Sequence, residues 1–199
     1  AARWDEIDSM YVDEAEVEAA LLQAAGPGPF HRMIDLGSGS GRMLTLFAPW
    51  TQSAIGLDLS QQMLNIARAR TAEAGLTQCE LRHGDIFATR LPDGYADLVV
   101  VHQVLHYLAD PAAAVAEAAR LVAPGGRLVI ADFAPHRLEY LREQHQHRRL
   151  GFSDEEMKGW LKAAGLSPLG RIALPPSKPG GLTVHVWSGP RPAEKRIEP

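Results

Sequence analysis

The residues with the most evident chemical capacity are Asp35-Leu36-Gly37-Ser38-Gly39-Ser40-Gly41-Arg42. Glycines at alternate positions let the backbone turn tightly, and without a Cβ they let a ligand come to contact distance. A helix beginning just after them would aim its free N–H groups at that ligand. A dinucleotide loop reads G-x-G-x-x-G and sets the pyrophosphate on the helix N-terminus. Counted from Gly37 the last position is Arg42, and counted from Gly39 it is Leu44, so neither register fits. The Gly-Lys-Ser/Thr ending of a P-loop is also absent. The pattern present is D-x-G-x-G-x-G. An acid ahead of the glycines would repel a pyrophosphate and suits an ammonium group. Asp58 lies 23 residues beyond Asp35, close to the spacing at which an acid accepts ribose hydroxyls. Asp85 follows Gly84, with Ile86 and Phe87 beside it to flank a flat base. A ligand with an amine, a ribose and an adenine but no phosphate is S-adenosylmethionine (SAM).

These residues need a frame that brings them to one edge. Residues 31–36 read as a short apolar strand ending in the glycine loop, followed by a helix through Met43–Phe47 and a strand at 53–58. Ser60 is placed to cap a helix that runs to about Ala74, where Gly75 stops it. A short strand at 79–82 and a fully apolar one at 97–101 follow, the latter of the kind buried on both faces. Asp110 before Pro111 caps the next helix, 127–133 is another buried strand, and Ser153 with Glu156 is a capping box for a helix ending at Gly165. Segments 169–174 and 181–187 alternate like a closing antiparallel pair. Before all this, Val12, Ala15, Ala19 and Leu22 follow helical spacing beneath an acidic face, up to Gly26-Pro27-Gly28-Pro29. Strands alternating with helices imply a doubly wound α/β sheet, mostly parallel and covered on both faces. In such sheets the ligand sits outside the carboxyl ends of the strands, where strand order reverses.

Composition narrows the class of function. A chain of 199 residues, 46% hydrophobic and 22% charged, fits one soluble domain. It can bury roughly 70% of its unfolded surface without disulfide or structural metal. Cys79 is the only cysteine, which removes disulfides and cysteine-rich zinc sites and fits a cytoplasmic setting. It reads as a packed strand residue. The net charge of −4 gives no global field to hold a phosphate polymer, so no nucleic acid is expected on this domain. No apolar run is long enough to span a membrane.

The motifs IDLGSGSGRM (34–43), IGLDLSQQML (55–64), HGDIFATRLPDGYADLVVVHQVLHYL (83–108) and LVAPGGRLVIADF (121–133) resemble the class I SAM-dependent methyltransferases. The resemblance covers roughly residues 30–187 in the family's order. It implies a Rossmann-like sheet of seven strands, mostly parallel with an antiparallel C-terminal strand. The residues divide the chain into a helical lid at 1–29, a SAM-binding domain at 30–190 and a disordered tail at 191–199, with the Pro- and charge-rich end expected to fray from Gly189. More narrowly, Val101–Leu108, Ala131–His136 and His147–Glu156 resemble the methyltransferase domain fused behind ArsR-type winged-helix DNA-binding domains in bacteria. That implies a DNA-binding part upstream of Ala1, consistent with a first residue other than methionine.

By the same resemblance Gly37, Ser38, Gly39 and Gly41 line the methionine moiety, and Asp35 orients its ammonium. Asp58 accepts the ribose hydroxyls, Leu59 and Met63 pack on the adenine, and Gly84, Asp85 and Ile86 address the base. His102 faces the methionine end. The product is S-adenosylhomocysteine (SAH). A base is needed only where the acceptor must lose a proton. Candidates are His102, His106, Tyr107, His136, Tyr140, His145 and His147, with His102 and His106 spaced to share one side of a helical turn. His145 and His147 read first as a solvated basic face with Arg148 and Arg149. Tyr11, His106, His136 and Tyr140 are candidate contacts to a small-molecule acceptor, and no metal site is expected. Two functions share these contacts: methyl transfer to a small molecule, or sensing of SAM or SAH for an attached regulator. A homodimer is compatible with either.

Overall fold

The computed structural model describes residues 12–178 and 180–193. Seven strands form one sheet: β1 (Phe30–Leu36), β2 (Thr51–Asp58), β3 (Cys79–His83), β4 (Ala96–His102), β5 (Val122–Phe133), β6 (Ile172–Leu174) and β7 (Val184–Pro190). Their order is β3-β2-β1-β4-β5-β7-β6. β1 to β5 pair in parallel, and β7 runs antiparallel to both β5 and β6. The expected doubly wound sheet with an antiparallel C-terminal strand is what forms. Strand order reverses between β1 and β4, so the crevice expected to hold a ligand opens above those two strands.

The helices are α1 (Glu14–Ala25), α2 (Arg42–Phe47), α3 (Gln61–Glu73), α4 (Pro111–Leu121), α5 (Tyr140–His145) and α6 (Asp154–Ala163). Four begin on the side-chain caps that their sequences offer. The Asp13 carboxylate accepts from Ala15 N at 2.9 Å, Ser60 Oγ from Met63 N at 3.2 Å, Asp110 from Ala113 N at 3.0 Å and Ser153 Oγ from Glu156 N at 3.1 Å. In the Ser153 box the reciprocal bond is not made, because the Glu156 carboxylate turns to Arg149 instead, at 2.5 Å.

Alternation along the strands builds two cores. Ile34, Val99, Val101, Leu128, Ile130 and Trp187 face one side, beneath Ala114, Val115 and Ala118 of α4 and Met157 and Leu161 of α6. Met33, Leu98, Val100, Val129 and Val186 face the other, beneath Leu21 of α1 and Leu44 and Phe47 of the segment after the loop. Both faces are apolar because both are covered. Two expectations are revised. His102 ends β4 while His106 sits in a separate 3-10 turn (Leu105–Tyr107), so the two do not share a helix. Fraying from Gly189 does not occur: β7 runs to Pro190, Arg191 N donates to Gly126 O at 2.9 Å and its guanidinium to Ala119 O at 2.7 Å. Tyr11, the rest of 1–11 and residues 194–199 of the expected tail lie outside the described residues.

Candidate cofactor site

The loop between β1 and α2 is fastened to the end of β2. Gly37 N and Ser38 N both donate to Leu57 O, at 2.8 and 3.0 Å, and Gly39 N donates to Asp58 Oδ2 at 2.8 Å. Asp58 Oδ1 accepts from Ser60 N at 2.7 Å, so one carboxylate holds the glycine loop and the start of α3 in register. The glycines are there for different reasons. At Gly37 a Cβ would run into the Val104 side chain, whereas at Gly39, with φ +49, it would meet nothing within 4 Å. Gly37 is a packing glycine; Gly39 is the one that leaves room for a ligand.

Beneath the loop, Asp35 is 1% exposed and neither carboxylate oxygen has a hydrogen-bond partner; the nearby Ser38 hydroxyl is likewise buried and unpartnered. Burial, and secondly the negative charge of Asp58, push the Asp35 carboxyl up to about 8. A buried polar group without a partner costs about 1–3 kcal/mol, so this one calls for a donor. A cationic amine answers both the missing hydrogen bonds and the missing charge, and the residues present fit the ammonium end of SAM.

A cavity of about 900 Å³ opens above the loop. Of the expected cofactor residues, Gly37, Gly39, Asp58, Leu59, Met63, Gly84 and Ile86 line it. Asp35, Ser38 and Gly41 stand behind these; Gly41 caps α2 with φ +79. Asp85 is beside Ile86, and its Oδ1 accepts from Phe87 N at 2.9 Å, which shapes the turn against the base position. His102 instead lines a smaller cavity with Glu14, Glu18, Arg42 and Phe133. Burial, and secondly the Arg42 charge, lower its imidazole to about 4. Gln103 lines both cavities and holds φ +53, a left-handed conformation unusual for a side chain that is not glycine.

The opposite wall of the large cavity carries Val104, Tyr107, Arg142, His147 and Arg148. Behind it His106, 1% exposed, bonds through Nδ1 to Asp132 Oδ1 at 2.7 Å. The His106 ring stands 4.9 Å from Phe133 and 4.3 Å from His147. His136 lies on the far side of Phe133, ring centres 6.3 Å apart, and Tyr140 opens α5 at the surface, its ring near His145. Sequence reasoning missed Asp132, although an acid inside the apolar run RLVIADF was a signal: a buried carboxylate requires partners. It also missed the Arg42 clasp, in which the guanidinium meets Glu18 at 2.9 Å and also Glu14, tying α1 to the start of α2. Among the described residues no cluster of three or more His, Cys, Asp or Glu could hold a metal, and no helix is long and apolar enough to cross a membrane.

Residues 34–130 match the methyltransferase domain family. The chain is 28% identical to YcgJ, a methyltransferase of Bacillus subtilis, over 64% of this chain and 51% of that one. It is 27% identical to the ubiquinone biosynthesis O-methyltransferase of Ralstonia nicotianae over 84% of this chain and 77% of that one. The crystal structure of YcgJ superposes with a TM-score of 0.76 at 19% identity, covering 90% of this chain and 99% of the solved one. The chain thus spans about half the length of YcgJ by sequence, and 34% of a Streptomyces fradiae transposon protein with which it shares 39% identity. From within β1 through most of β5, residues 34–130 thus carry the likeness to methyltransferase domains, and that likeness supports S-adenosylmethionine as the cofactor.

Proposed function

We propose that the chain transfers the methyl group of SAM to a small-molecule acceptor. The observation that carries this reading is the pairing of two features at the β1 end: unpartnered, buried Asp35 under the loop, and Gly39 open toward a cavity edged by Asp58. Bound SAM supplies an electrophilic methyl on a sulfonium, and the protein supplies position and exclusion of water. Gly39 admits the methionine portion beside Gly37, Asp35 takes its ammonium, and Asp58 uses its remaining lone pairs for the ribose. Leu59, Met63 and Ile86 flank the adenine, with Asp85 at its edge. His106, His136 and Tyr140 belong to the acceptor side. In this reading residues 30–190 are the catalytic domain, residues 1–29 a lid that includes α1, and the setting is the cytoplasm.

The relatives are named for different acceptors, so the acceptor is sought by experiment. Calorimetric titration with SAM and SAH, followed by transfer of a labelled methyl from SAM to a broad set of small molecules, tests the reading. Binding of both and labelling of an acceptor are expected; failure to bind SAM ends it. The resemblance of 101–108, 131–136 and 147–156 to ArsR-fused domains favours a second reading, in which the domain reports SAM or SAH to an attached DNA-binding partner. Tight SAH binding with no transfer to any acceptor would select that one.

A further inference from the structure

The buried side-chain atoms without partners are not scattered evenly. Among the described residues, Asp35 and Ser38 form one group at the cofactor loop. A second group is imidazole nitrogen: His106 Nε2, His147 Nδ1 and His136 Nε2, gathered around Phe133. The remaining two are His185 Nδ1, on the residue opposite Asp132 across β5 and β7, and Arg191 Nε. The cofactor accounts for the first group. The second has no hydrogen-bond partner among the described residues.

The bonding of Asp132 decides where the His106 proton sits. Asp132 is fully buried; its Oδ2 accepts from Leu105 N at 3.0 Å, and its Oδ1 accepts from Phe133 N at 2.8 Å and meets His106 Nδ1. A carboxylate held by backbone donors is acceptor-only, so the proton in its bond to His106 sits on Nδ1. The His147 ring rests 4.3 Å from that of His106 and lines the large cavity. Arg148 N and Arg149 N both donate to His106 O, at 2.8 and 3.1 Å, which staples the His147 segment onto the pair. Burial, and secondly the charge of His106, hold His147 down to about 3, so its imidazole is neutral and a weak base.

We propose that His147 receives the proton that an acidic hydroxyl acceptor loses on methylation, with His106 and Asp132 positioning it. The inference rests on the methyltransferase reading and adds the acceptor class: phenols and enols. In the step, the acceptor O–H proton passes to the His147 imidazole. The oxygen electron pair forms the bond to the methyl carbon as the carbon–sulfur bond breaks, its pair returning to sulfur. The imidazolium later gives its proton to water. The Asp132 carboxylate behind His106 offsets the positive charge that His147 acquires. So weak a base favours the most acidic hydroxyls: a phenol, which like the tyrosine side chain titrates near ~10, asks far less of it than an aliphatic alcohol. The groups that set the charge around His147 are His106, Asp132, His136 and His145, with Arg142 and Arg148 on the same cavity wall.

The test supplies SAM with a set of phenols and enolisable 1,3-diketones, alongside thioethers and carboxylates that carry no such proton. The wild-type protein should methylate members of the first group. His147→Gln, a neutral side chain of similar reach at this buried position, should keep SAH affinity within about twofold and lose about 10²-fold in kcat near neutral pH. Its rate should recover as pH rises through the phenol's own titration, because the phenolate is then formed in solution. His106→Asn should show the same recovery from a smaller loss. Methylation confined to proton-free acceptors, a His147→Gln defect equal at all pH, or SAM binding without methylation of any phenol or enol would overturn the proposal. Absence of SAM binding in the wild type would instead overturn the methyltransferase reading beneath it.

Discussion

Within the glycine loop, neighbouring positions of one residue type do separable work. Gly39 meets open space and Gly37 meets Val104, so substitution should split binding from stability. Gly39→Arg should leave the protein folded by circular dichroism, with a modest fall in thermal melting because φ +49 strains any side chain, while removing SAM binding in a calorimetric titration. Retained micromolar affinity would put the methionine end of the cofactor elsewhere. Gly37→Ala should lower thermal stability, because its Cβ needs Val104 and the turn behind it to shift. Asp58→Ala strips the ribose of its acceptor and also releases Gly39 N and Ser60 N. A loss of at least about 2 kcal/mol in SAM affinity is expected, and an unchanged titration would exclude the ribose from this carboxylate. The sequence pattern displayed the acids and glycines plainly, since their spacing is local. It did not display Asp132 with His106, because a contact between residues 26 apart depends on how β5 lies beside β4.

Elements transmit these local choices. α3 begins at Ser60, and its first turn carries Met63 onto the cavity wall. Ser60→Ala removes the bond to Met63 N and should cost about 1 kcal/mol in chemical denaturation, with a weaker SAM titration because Met63 and Leu59 lose their fixed approach to the adenine. Unchanged affinity at lowered stability would mean that the adenine does not lie against this turn. Most elements were legible from periodicity and caps: Ser60, Asp110 and Ser153 each start the helix that they were expected to start. What sequence periodicity could not supply was the break between β4 and the 3-10 turn that follows. The four-residue spacing of His102 and His106 mimics a helix, but Gln103 takes a left-handed conformation, and the two imidazoles part, His102 to the smaller cavity and His106 to buried Asp132.

For the molecule as a whole, the buried titratable groups impose opposite slopes on stability against pH. Asp35 is raised to about 8 from 3.8, so the folded state holds a proton that the unfolded chain has released. Stability from that group is full below 3.8 and is lost as pH rises through 8. His102 and His147 are lowered to about 4 and about 3 from 6.5, and burial also lowers His136 and His185. Their contribution is present above 6.5 and is lost as pH falls toward those lower values. Below 6.5 several imidazoles oppose a single carboxyl, so stability should fall with acid; from 6.5 to 8 only Asp35 of this set acts, so it should fall with alkali. The cofactor-free protein is therefore expected to melt highest near pH 6.5. SAM or SAH changes one limb only, because an ammonium beside Asp35 favours the ionised carboxylate and binding at pH 7 should release close to one proton. Thermal melts from pH 5 to 8.5, with and without saturating SAH, should show the alkaline decline disappear with ligand while the acid decline persists. Asp35→Asn should flatten the same limb without any ligand. An alkaline decline that survives both SAH and Asp35→Asn would mean that another group titrates there, and would remove Asp35 from the ammonium site.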